Sequence, residues 1–210
     1  YTYVPEDDNK DNAYVEFNLS DYDKKDSELI YYSSVEEAIL NSPLNAENEE
    51  FSVPEDFLNH VDEILHIWNG KQYDTIFYRA GSDNDPVQGF VMERCKKQVE
   101  EASVQYAFMN ATPVTTKADS ILISDITELI RSSLKLSDFQ QDLNPNYPDT
   151  RFVFGYAHDK EIYSLEVEGQ KPDGVIEINV YDRTMYLWYY DDLKSDKRGN
   201  NLSYSVDMPE

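Results

Sequence analysis

One cysteine, seven glycines and eighteen basic residues are what this 210-residue chain has least of. Each scarcity excludes something. With Cys95 alone, no internal disulfide can form. The few glycines are scattered, so neither a phosphate-cradling loop nor a dinucleotide fingerprint exists. A Gly-x-Ser-x-Gly nucleophile elbow is absent too. No apolar run approaches the roughly 20 residues that a membrane-spanning helix needs. The 18 Lys and Arg face 42 Asp and Glu, a net charge of −24. Such a chain is repelled by phosphate backbones and by anionic lipid, so nucleic acid and membrane surfaces are poor partners.

What is abundant points to a folded, strand-rich protein. Hydrophobic residues make up 40% of the chain, enough at this length to bury a core without staples. Seventeen Tyr and nine Phe favour pleated sheet and broad packed contacts. The acid excess keeps such a chain soluble. It also suits a hard cation or a basic protein partner drawn in by long-range attraction.

Residues 1–28 are acidic and Asn-rich with scattered aromatics, and read as a tether or an irregular first layer. The chain opens at Tyr1 rather than Met, so an upstream segment is expected to have been removed: a signal peptide, a lipid-anchor segment or an engineered boundary. A short strand is expected at 29–32. Ser33 and Ser34 stand three residues before Glu36 and Glu37, two overlapping capping boxes for a helix that stops before Pro43.

Ser52 and Glu55 form another capping box, with Pro54 in the first turn. Phe57, Leu58, Val61, Ile64, Leu65 and Trp68 follow at helical spacing, and Gly70 stands where a left-handed cap would end the helix. A helix over 52–70 is therefore predicted. Beyond it the period falls to two. Strands are expected at 73–79, 88–97 and 104–110, with the Gly81-to-Pro86 turn between the first two. Ser124 is placed to cap a second amphipathic helix bearing Ile126, Leu129, Ile130 and Leu134. Pro145 and Pro148 mark 140–150 as a boundary. Five short strands are expected after it, at 152–156, 162–168, 175–181, 185–190 and 202–206.

The fold class that follows is α+β, with two or three amphipathic helices packed on antiparallel sheet and a strand-only C-terminal third. Three segments are expected: 1–28, a helix-plus-meander region at 29–139, and an antiparallel β region at 150–210 that is either separate or continuous with the preceding one.

Catalytic residues are not picked out by any pattern. His60 and His66 point about 120° apart on the expected helix and cannot share a metal there. His158 falls in a turn and reads as a surface group. Cys95 lies between Arg94 and Lys96, which could activate its thiol, yet a strand would put those neighbours on the other face and leave the cysteine buried. A glycosidase-like carboxylate pair cannot be singled out among 42 acids. Asp83 and Asp85 are weak calcium candidates in a short turn cut off by Pro86, and the 21–26 acidic turn lacks the glycine of a calcium loop.

Tyr186, Trp188 and Tyr190 would share one face of a strand. An exposed row of this kind could stack on a sugar or grip a peptide, whereas a strand apolar on both faces is ordinarily core. Sequons at Asn18, Asn110 and Asn201 matter only in a secreted eukaryotic protein.

The stretch Ser-Val-Glu-Glu-Ala-Ile-Leu-Asn-Ser-Pro-Leu at 34–44, the 64–78 passage and Tyr-Ser-Leu-Glu-Val-Glu-Gly at 163–169 resemble uncharacterised secreted or lipid-anchored modules of Gram-positive bacteria. The resemblance runs over the greater part of the chain. It implies an extracytoplasmic location and a processed N-terminus, and carries over no activity and no site residue. A lipid-acceptor cysteine is not present in these residues and would lie upstream of Tyr1. The expected function is thus a non-enzymatic extracytoplasmic module binding a glycan, a peptide or a basic protein. The alternatives are a cytosolic acidic inhibitor or immunity-type protein masking a basic partner, and a carboxylate-pair hydrolase.

Overall fold

The structure, a computed structural model, describes residues 1–5, 28–41, 63–70, 72–80, 87–100, 102–117, 125–142, 151–181, 183–197 and 199–208. The chain divides into two compact units: one of Tyr1–Asp21, Ile123–Ile178 and Arg183–Glu210, the other of Tyr22–Leu122 and Asn179–Asp182. No helix among the described residues is long and apolar enough to cross a membrane.

The second unit is a five-stranded sheet with one short helix. Its strands are β2 (Tyr31–Tyr32), β3 (Ile64–Asn69), β4 (Tyr73–Ala80), β5 (Val87–Glu100) and β6 (Ser103–Lys117), in the order β2-β6-β5-β4-β3. Each neighbouring pair of these strands is antiparallel. Alternating apolar residues and the turn-forming 81–86 segment led to the expectation of β4, β5 and β6, and these strands form, the last two longer than the sequence indicated. Helix α1 (Val35–Leu40) packs Val35, Ala38 and Ile39 with Ile76, Tyr78, Val91 and Cys95. Its capping matches the Ser-rich entry. The Ser34 hydroxyl accepts from the Glu37 N–H at 3.1 Å, and the Glu37 carboxylate accepts from the Ser33 N–H and hydroxyl.

The predicted 52–70 helix is corrected over its second half. Ile64–Asn69 is strand, paired with β4 through Ile67 opposite Ile76 and Trp68 opposite Thr75. Six residues with β-branched and aromatic side chains among them satisfy either period, and β4 supplies the hydrogen bonds that decide it. Gly70 is accordingly no helix cap. It lies in the β3–β4 connection, where its N–H donates to the Tyr73 carbonyl and to Asp74 Oδ1. Residues 52–62 of that prediction lie outside the described residues.

The first unit contains β1 (Thr2–Tyr3), α2 (Ile126–Asp142), β7 (Val153–Ala157), β8 (Glu166–Val167), β9 (Gly174–Val180), β10 (Arg183–Tyr190) and β11 (Tyr204–Ser205). β9 ends at Val180, its last two residues counted with the second unit. Two three-stranded sheets result, β1-β11-β8 and β7-β10-β9. Helix α2 begins after Asp125, whose carboxylate accepts from the Thr127 N–H and hydroxyl at 2.8 Å. That is the capping residue; Ser124 lies outside the described residues. Ile126, Ile130 and Leu134 from α2 join Val153, Ala157, Trp188 and Tyr190 in one core.

Two further expectations change here. The 162–168 strand is instead a 3₁₀ turn at Lys160–Ser164 followed by the two-residue β8. The C-terminal third is also not strand alone, since a second 3₁₀ turn occupies Gly199–Asn201. Among the described residues α2 alone is a long amphipathic helix and α1 has six residues, so the expectation of two or three amphipathic helices is not met. The broad α+β character, dominated by antiparallel sheet, stands. The acidic turns at 21–26 and 81–86, with Asp83 and Asp85, and His60 lie outside the described residues, as does Asn18.

Candidate functional site

Tyr186, Trp188 and Tyr190 do share one face of β10, and it is the face that packs into the first core. Trp188 and Tyr190 are buried there, edge to face at 6.2 Å. Their neighbours show why the row folds inward. Trp188 sits opposite Gly155 in the β7–β10 pairing, and the missing side chain leaves room for both the indole and Ser133 of α2. Tyr190 donates its hydroxyl to the Gln170 carbonyl at 3.0 Å, and burial drives its pKa upward. On the opposite face, Met185 and Leu187 are buried as well.

Tyr186, at the end of the row, is only partly buried. Tyr163, on the 3₁₀ turn, meets it edge-on at 5.7 Å and 77°. Tyr163 is 51% exposed, and its hydroxyl donates to Glu177 Oε1 of β9 at 2.8 Å. That hydrogen bond to a carboxylate raises the Tyr163 pKa. Burial raises that of Tyr186, reinforced by the negative charges of Glu177, Glu161 and Asp159. The result is an exposed ring, fixed at its edge and at its hydroxyl, in a negative field. Aromatic faces attract cations, and three carboxylates within electrostatic reach add to that attraction. The sequence reading missed Tyr163 because 162–168 read as a strand, in which the neighbour on the 3₁₀ turn could not be seen.

A second cluster lies inside the second unit. Glu93 on β5 is fully buried. The Cys95 thiol donates to its Oε1 at 3.4 Å and the Tyr78 hydroxyl to its Oε2 at 3.5 Å. Burial pushes the Glu93 carboxyl up to about 8, and the two donors pull only weakly the other way. Burial likewise raises the Cys95 thiol well above its ordinary value, with Glu93 adding to the effect. Such a thiol is a poor nucleophile at neutral pH. Nearby, Asp74 is buried against the Lys97 ammonium at 2.8 Å, with burial raising the carboxyl and the ion pair lowering it.

Glu93 and Asp74 are the buried carboxylates among the described residues. Their donors are a thiol and a phenol on Glu93, and the Lys97 ammonium and the Gly70 N–H on Asp74. Among the described residues, no three His, Cys, Asp or Glu side chains converge where they could hold a metal ion. His66 sits on β3, and His158 is half-buried beside Tyr156, with burial lowering its pKa. Asn201 is exposed on its 3₁₀ turn.

No family model, no curated protein and no solved structure matches this chain.

Proposed function

We propose that the chain is a non-enzymatic binding module that works outside the cytoplasm and takes a cationic peptide segment of a protein partner at Tyr163, Tyr186 and Glu177. The observation that carries this reading is the half-exposed Tyr163 ring, held between Tyr186 and the Glu177 carboxylate. A ring whose orientation is already fixed loses little freedom on binding. A lysine or arginine laid over it gains a cation–π contact of about 0.5–1 kcal/mol at an exposed site. The charge of −24 steers such a segment in from solution. The extracytoplasmic part of the reading is supported by the resemblance to exported Gram-positive modules. Fractionating source cells and sequencing the native N-terminus tests that part, and a purely cytosolic chain overturns it.

Titration of the whole chain with a Lys/Arg-rich peptide, beside a panel of neutral oligosaccharides, tests the site. Peptide binding should weaken as salt rises, because exposed charges are screened beyond about 10 Å at 0.1 M. Tyr163→Ala should lower affinity about two- to fivefold, the equivalent of one exposed cation–π contact. Salt-independent binding of an oligosaccharide that Tyr163→Ala abolishes would assign the surface to sugar instead. Peptide binding that Tyr163→Ala and Glu177→Gln leave unchanged would remove this surface from the function.

A further inference from the structure

Among the described residues, the second unit holds one carboxyl group in its interior, that of Glu93, with only neutral donors on it. From β4 come Tyr78, which donates to it, and Asp74 further along. On β5 itself stand Cys95 and Lys97, and the Lys97 ammonium is taken by Asp74 and by the Gly70 carbonyl. β6 runs opposite with Ala111 and carries Tyr106 alongside Lys97. β3 contributes Ile64 and Ile67 to the cluster, and β2 contributes Tyr32. α1 buries Val35, Ala38 and Ile39 in the cluster and leaves Glu36 and Glu37 exposed. Among the described residues, the charged groups on this face are therefore a lysine–aspartate pair closed on itself and two carboxylates facing water.

A carboxylate left in such surroundings must be neutral or must regain water. Among the described elements, α1 packs from outside the sheet in one cluster with Val91 and Cys95, the residues flanking Glu93 on its face. It has six residues, under two turns, and isolated helices of that length are unstable without packing. Three apolar side chains hold it down. We propose that Glu93 is a proton-held latch for α1: the helix lies closed on the sheet while Glu93 is neutral, and loss of the proton opens that face and exposes Cys95. The proposal does not depend on the binding reading.

The sign follows from where the proton sits. Closed, Glu93 is held up to about 8; opened to water it returns towards 4.5. The closed state thus keeps its full advantage below the lower value and loses it as pH rises to the upper one. In between, one proton is released per opening, and the opening constant rises about tenfold per pH unit.

Cys95 is the only cysteine in the chain and reports on the same space. Its alkylation by iodoacetamide in the native protein, divided by the rate for the urea-unfolded chain at the same pH, measures the opening. The ratio should rise about tenfold per unit between pH 6 and 8. Glu93→Gln should flatten it. A ratio constant with pH in the native chain overturns the latch, and so does an unchanged slope in Glu93→Gln. If Glu93→Gln does not fold, the ¹³C shift of the Glu93 carboxyl in the native protein decides the matter. A midpoint near 8 supports the latch, and one in the ordinary glutamate range overturns it.

Discussion

Single residues in the first unit are held by shape and by backbone geometry. A methyl group added at Gly155 would come within 2.3 Å of Trp188 Cζ2 and 2.4 Å of Ser133 Cβ. Neither can retreat easily, since the indole is buried on a sheet and Ser133 is buried on α2. Gly155→Ala should therefore cost about 1–3 kcal/mol, the usual range for overpacking, read as a lower urea midpoint with an unchanged slope. Glu168 is constrained differently. It has φ +50° and Gly169 has φ +71°, the left-handed pair of a tight turn that brings Val167 and Gln170 into mutual hydrogen bonding. A glutamate in that conformation is strained. It is held there because its carboxylate accepts from the Ser203 N–H and hydroxyl and pairs with Lys197 at 2.8 Å. Long-range polar pairings of this type leave no mark in a sequence. Glu93 shows the same limit: one acid among 42, it could be flagged only by sharing strand parity with Val91 and Cys95, a pattern that many surface acids also show.

At the scale of elements, the sheet was easier to read than the helices. β4, β5 and β6 follow from alternation bounded by turn residues, and β7, β9 and β10 likewise. Ser33, Ser34, Glu36 and Glu37 identified α1 because capping uses side chains one turn apart in the chain, which is local information. β3 failed for the opposite reason. Whether Ile64–Asn69 is helix or strand is decided by β4, and the helical stripe drawn through Ile64, Leu65 and Trp68 borrowed its period from residues before them. The Tyr186–Trp188–Tyr190 row was correctly placed on one face of β10, but which face meets α2 is a tertiary fact. For α1, the cap carries a test. Ser34→Ala removes the acceptor for the Glu37 N–H and should destabilise the helix by about 1 kcal/mol. Faster native-state labelling of Cys95 by roughly fivefold, the same free energy expressed as a ratio, would register it. An unchanged rate would mean that α1 does not gate the thiol.

For the whole molecule, the two units should respond to pH in opposite directions. In the first unit, burial raises Glu168, but Lys197 and the Ser203 donors outweigh it and hold the carboxyl below its ordinary value. Asp192 is treated in the same way by Lys194 and the Arg151 N–H. Depressed carboxyls stabilise the fold above their unfolded values, and that contribution is lost as pH falls through the folded ones, so the first unit weakens in acid. The second unit carries Glu93 with its value raised, so its stability falls as pH climbs towards 8. On the alkaline side the general charge excess does not blur the contrast. Between pH 6 and 8.5 ordinary carboxylates are already ionised and lysines are still charged, so the repulsion among surface groups hardly changes. Each unit also has its own reporter, because the two tryptophans are divided between them: Trp188 in the first and Trp68 in the second. Trp68→Phe leaves Trp188 to follow the first unit, and Trp188→Phe leaves Trp68 to follow the second. Urea midpoints taken at pH 3.5, 6 and 8.5 should fall from 6 to 3.5 for Trp188 and from 6 to 8.5 for Trp68. Midpoints that move together at every pH would mean that the chain unfolds as one cooperative block, in which Glu93 and Glu168 act on a single equilibrium and the proton on Glu93 could not open one unit while the other stays folded.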